Sequence, residues 1–199
     1  MKSVTISLLA GVAVVLTACV VTSVYPFYSE KDVAFEPALL GSWTNTTSPE
    51  QHWKFEKEGE SAYRLTCTED GKPSVMRAQP FKLQGQLFLD LSRNIAEEEP
   101  FPPSIPSHVL LRVLQTSPNL RMAILKYDWL SELLEKDPKA LRYHVIKPND
   151  KPEDRYFVLT ANTEELRQFI IKHLKTDAVW KDEFELKHAA ATVPAGPRK

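Results

Sequence analysis

Between residues 41 and 91, apolar and polar residues alternate one for one in short segments that end in turn formers. In Gln51 to Lys57, Trp53 and Phe55 share a face with polar neighbours between them. Tyr63, Leu65 and Cys67 repeat the pattern, and so do Leu87, Leu89 and Leu91. A period of two belongs to a strand with one face buried, not to a helix. Asp70-Gly71, between two such segments, supplies the positive-φ pair of a two-residue hairpin. Gly41 to Thr44 opens the series, and the turn formers Asn45 to Pro49 follow it. Val75 to Leu83 is a weaker strand in which Pro80 marks an edge or a bulge, because proline donates no ladder hydrogen bond. Five strands spaced by about ten residues predict an antiparallel meander that closes as a barrel or a strongly curved sheet.

The pattern breaks at residues 92–107. Glu97-Glu98-Glu99 is followed by Pro100, Pro102, Pro103 and Pro106, with Phe101 and Ile105 between them. Proline fixes φ and withholds a donor, so this is a long loop. It is either a binding loop or an insertion packed over a barrel end by Phe101 and Ile105. Strands return at His108 to Leu114 and Leu120 to Leu125. Asp128 is placed to cap a helix carrying Trp129, Leu130, Leu133 and Leu134 on one stripe, ended by Asp137-Pro138. Arg142 to Ile146 and Arg155 to Thr160 read as strands around a charged turn. Asn162 and Glu165 make a capping box ahead of Leu166, Phe169, Ile170, His173 and Leu174, which recur at helical spacing. Trp180 to Lys187 reads as a last strand. Residues 188–199 have no pattern and are expected to be a disordered tail.

The start of the chain is of another kind. A basic Met1-Lys2 precedes an apolar run of 11 residues, Ile6 to Leu16. That is far short of the roughly 20 residues that cross a bilayer as a helix, and it has the layout of a signal peptide. The run ends in Leu16-Thr17-Ala18-Cys19, which resembles the lipobox of bacterial lipoproteins. The resemblance implies removal of residues 1–18, lipidation of Cys19 as the mature N-terminus, and tethering to a membrane of the bacterial cell envelope. A diacylglyceryl group with an N-acyl chain exceeds the single chain that binds only marginally. Val20 in place of aspartate resembles the outer-membrane sorting pattern, on the periplasmic side. Residues 19–37 would then be the lipidated N-terminus and tether. Tyr25, Phe27, Tyr28 and Phe35 are many aromatics for a solvated linker, so they are expected to dock on the domain, the alternative being a place among lipid headgroups.

Removing residues 1–18 leaves 199 − 18 = 181 residues, with 38–187 read as one domain. Basic residues then number 25 − 1 = 24 against 26 acidic, a net charge of −2 that gives no reason to expect a nucleic-acid partner. Cys67 is the second of two cysteines, so neither an internal disulfide nor a cysteine zinc cluster is expected. His52, His108, His144, His173 and His188 contain no i, i+4 pair. No nucleophile elbow or glycine-rich phosphate loop is present. Neither a catalytic residue nor a metal or other cofactor is expected, and Asp90 reads as the polar side of its strand.

Gly41-Ser42-Trp43 at the head of the meander resembles the signature of lipocalins and related calycin barrels. The late helix followed by a strand also resembles the lipocalin tail. The resemblance implies a mainly β fold, an antiparallel up-and-down barrel of about eight or nine strands with one or two packed helices. Gly41 would be the first-strand glycine and Trp43 the ring that closes one barrel end. Arg142 and Arg155 are the candidates for the family's terminal arginine. The functional expectation is a non-catalytic module for a hydrophobic small molecule or an envelope protein, its cavity lined by Trp53, Tyr63, Leu87 and Met122. The same side chains would equally fill a small barrel. Two alternatives are a lipid-anchored accessory subunit that uses the 92–107 loop as its contact surface, and an envelope hydrolase built from that loop, His108 and His144.

Overall fold

The computed structural model describes residues 20–93, 107–147, 149, 156–180 and 182–189. The leader 1–18, Cys19, most of the 92–107 loop and the tail beyond 189 lie outside the described residues. After a short strand β1 (Thr22–Ser23), seven strands follow one another around a wall: β2 (Gly41–Asn45), β3 (His52–Glu58), β4 (Ala62–Glu69), β5 (Lys72–Leu83), β6 (Gln86–Arg93), β7 (His108–Gln115) and β8 (Leu120–Ile124). Each pairs antiparallel with the next. The chain then runs through α1 (Tyr127–Lys136), β9 (Tyr143–Ile146), β10 (Tyr156–Leu159) and α2 (Thr163–His173) before β11 (Asp182–His188). That last strand pairs with β8 on one side and β2 on the other. The result is a closed, eight-stranded antiparallel barrel with extra strands and two helices among the described residues, the mainly β class that the alternation predicts.

Local chemistry accounts for the turns. Asp70 and Gly71 take φ of 49° and 74° between the paired Glu69 and Lys72, the two positive angles of a tight hairpin. Pro80 does mark an edge. The β4 ladder stops at Ala78, and beyond it the carbonyl of Pro80 accepts the Ala34 amide at 3.1 Å. The missing proline donor faces this side, so the β5–β6 ladder loses nothing. The capping box at α2 forms: Asn162 accepts the Glu165 amide, and Glu165 accepts the Asn162 amide. At α1 the cap position belongs to Lys126. Asp128 lies inside the first turn, where a carboxylate meets the positive end of the helix dipole.

The inward residues of the staves make one core, with Trp43, Phe55, Tyr63, Leu65, Leu89, Leu120 and Met122 almost wholly buried. A second core lies outside the wall. Phe81, Phe88, Leu110 and Ala123 face outward from β5 to β8 and are covered by Leu130 and Leu134 of α1 and by Leu166, Phe169 and Ile170 of α2. Strands covered on both faces carry nearly continuous apolar runs, as Leu87-Phe88-Leu89 does. Each fully buried leucine or phenylalanine contributes about 1.5–3 kcal/mol relative to exposure.

Three placements differ from the sequence reading. First, β9 and β10 are not staves. They form an antiparallel hairpin that joins β7 through β1, with β1 and β10 parallel, and Phe157 and Leu159 turn into the outer core. Second, residues 20–37, read as a tether, run packed along the domain, with the docking expected of their aromatics: Val21 and Phe27 are buried, Tyr28 lies 5.9 Å from Phe81, and Phe35 stacks on Tyr63 at 5.1 Å; only Tyr25 of the four aromatics is exposed. Third, His188 belongs to β11, paired with Trp43, so the patternless tail begins after it.

Candidate functional site

Trp43 sits at the foot of the barrel. Its indole N–H donates to the Leu39 carbonyl at 3.0 Å, and Leu39 closes the short turn Pro37–Leu39 across that end. Gly41 has φ of 118°, a conformation that glycine adopts freely. A Cβ there would meet His188 Cε1 at an ordinary 3.5 Å, so backbone conformation rather than space calls for glycine. The ring stacked on Trp43 is His188, at 3.7 Å between centroids. Arg142 instead holds Glu165 on α2, at 3.0 and 2.6 Å, and Arg155 lies outside the described residues.

Trp53, Tyr63, Leu87 and Met122 belong to one inward cluster, as their alternation predicts. Tyr63 and Met122 expose none of their surface, so no water molecule fits beside them. The Tyr63 hydroxyl donates to the Glu36 carbonyl at 2.7 Å and accepts the Glu36 amide at 2.9 Å, tying the N-terminal segment to the foot. Burial pushes its pKa up to about 12. The foot and middle of the barrel are filled by side chains.

Among the described residues the other end is less closed. In an antiparallel barrel the starts of β3, β5, β7 and β11 and the ends of β4 and β8 lie together. Each contributes one inward apolar residue there: Trp53, Cys67, Met76, Val109, Ile124 and Phe184. All six are half-buried. Trp53 and Phe184 are 5.5 Å apart. Alternation in the sequence already turns Trp53, Cys67 and Phe184 inward, though only Trp53 of them is expected as cavity lining; carrying the same alternation to the other strand ends finds Met76, Val109 and Ile124. Burial pushes the Cys67 thiol up to about 12, and Glu69 adds to the shift, so it acts here as an apolar lining group.

A polar group that the sequence reading passed over lies on the outer wall. Asp90 is 1% exposed, beneath the N-terminal segment. One oxygen accepts the Phe27 amide at 2.8 Å and the other meets His108 Nδ1 at 2.7 Å. The signal was a lone charge inside Leu87 to Leu91. His144 lies three strands away across β10 and β1, about 14 Å, so the two histidines do not converge. Asp90 and His108 hold chain to chain. Among the described residues no three metal-binding side chains cluster, and no helix is long and apolar enough to cross a membrane.

Comparison with protein-family models, with curated proteins and with solved structures finds no match to this chain.

Proposed function

We propose that this chain is a bacterial envelope lipoprotein, anchored through Cys19, whose barrel binds an apolar group at its mouth and performs no catalysis. The lipobox residues Leu16 to Cys19 support the anchoring, and Val20 after the cysteine favours the outer membrane. The observation that carries the binding is the apolar, half-buried rim above a filled interior. A closed foot leaves no route through the barrel. The rim suits a hydrophobic small molecule lying across it, or an apolar side chain of an envelope protein, more than a ligand enclosed deep within.

N-phenylnaphthylamine, which fluoresces in apolar surroundings, tests this. The wild-type protein is expected to bind it saturably. Met76→Lys and Phe184→Lys should each weaken binding at least tenfold, about 1.4 kcal/mol, with thermal unfolding shifted by only a few degrees. Lys54→Glu, on the outer face, should leave binding unchanged. Unsaturable binding, or binding that both rim substitutions leave intact, refutes the proposal.

A further inference from the structure

The first described residue of the chain lies at the mouth of the barrel. Val20 is bridged to Lys126, two residues beyond the rim residue Ile124. Thr22 pairs with Val109, another rim residue, while Val21 turns the other way into the outer core at 1% exposure. The start of the chain therefore lies beside the arc of the rim that Val109, Ile124 and Phe184 share, since β7, β8 and β11 are neighbours in the wall. Cys19 is one peptide bond before Val20, about 3.8 Å between Cα atoms. From Cys19 to Ile124 the path adds one bridge and two strand residues, so about 16 Å at most.

The acyl chains of one leaflet span about 15 Å, half of the hydrocarbon core of a bilayer. With the cysteine side chain and its glyceryl link added, such a chain on Cys19 reaches across the rim. Tethering then decides the competition for the mouth. A group held by so short a link has an effective concentration on the order of 1 mM. A free hydrophobic molecule of equal intrinsic affinity, present at about 1 μM, is outcompeted about a thousandfold. A bilayer offers the same acyl chain a far larger apolar volume, so insertion withdraws it from the rim. We infer that, away from a bilayer, one acyl chain of Cys19 folds back across Val109, Ile124 and Phe184 and occupies the mouth, and that insertion into a membrane vacates it. The inference names the apolar group bound at the mouth, so it rests on that reading and on acylation of Cys19.

The experiment uses the full chain, expressed in bacteria fed a fatty acid that carries a diazirine at its distal end and enters the lipids that acylate Cys19. The purified protein is irradiated in detergent-free buffer and, in a second sample, in vesicles of phosphatidylethanolamine and phosphatidylglycerol. Mass spectrometry maps the cross-links, and the mass of the N-terminal peptide reports acylation separately. In buffer, cross-links within one chain to peptides holding Val109, Ile124 or Phe184 are expected. Phe184→Lys should lower them several-fold, and Lys54→Glu should leave them unchanged. In vesicles they should fall several-fold and be replaced by cross-links to lipid. Cross-links in buffer that fall on the outer wall or join two copies overturn the inference, and so do rim cross-links that persist undiminished in vesicles. Saturable N-phenylnaphthylamine binding by the same protein then leaves the mouth reading standing, whereas failure to bind the dye removes that reading as well. An unmodified Cys19 overturns the anchor and the self-occupied mouth together.

Discussion

Replacing Asp90 with alanine removes one carboxylate and strands two donors. The Phe27 amide is buried and loses an acceptor at 2.8 Å; His108 Nδ1 loses one at 2.7 Å. A hydrogen bond to a charged acceptor is worth about 1.5–3 kcal/mol, and an orphaned buried amide costs about 1–3 kcal/mol. Against this, the variant no longer buries a charge, which returns part of the loss. The net expectation for Asp90→Ala is a loss of about 2–4 kcal/mol. Asp90→Asn keeps the shape. Its amide oxygen accepts from Phe27, and its amino group donates to His108 once that ring carries its proton on Nε2, so about 1 kcal/mol is lost. Urea unfolding read by tryptophan fluorescence measures both, since Trp180 lies 5.8 Å from Phe88 in the same outer core. Hydrogen exchange at the Phe27 amide should quicken in Asp90→Ala more than exchange in the barrel. A cost under about 0.5 kcal/mol for Asp90→Ala, or equal costs for asparagine and alanine, refutes the role of these two hydrogen bonds.

Two further tests concern other parts of the molecule. Burial alone would raise the Asp32 pKa, but hydrogen bonds from Ser29 and from the buried Arg167 outweigh it and hold it below the usual value. A depressed folded pKa stabilises fully above the unfolded value of about 4, and that contribution is lost as pH falls through the folded one. Asp32→Asn should therefore cost about 2 kcal/mol at neutral pH and flatten the acid limb of stability against pH; an unchanged limb counts against the pair. The Cys67 thiol, pushed up to about 12 by burial, should react with dithionitrobenzoate about a thousandfold more slowly in the native protein than in urea. Comparable rates in the two states would show that burial does not hold the thiol in its neutral form.

Much of the barrel was legible because strand chemistry is local. Alternation gave the inward faces of β3, β4 and β6, so Trp53, Tyr63 and Leu87 were placed correctly before any pairing was known. Asp70-Gly71 announced its hairpin, and Asn162 with Glu165 announced the start of α2, because both depend only on neighbouring φ, ψ and hydrogen bonds. Three decisions needed the tertiary structure. β11, not β9 or β10, closes the barrel, since closure depends on which distant edge completes the ladder beside β2. The alternate face of β6 looks like a solvated side until helices and the N-terminal segment cover Phe88 and Asp90. A period of two separates the two faces of a strand but does not say what lies over them. The segment 20–37 has neither period nor helix signal. Its order comes from bonds to residues far along the chain, Phe27 to Asp90, Asp32 to Arg167 and Glu36 to Tyr63, which no window of sequence contains.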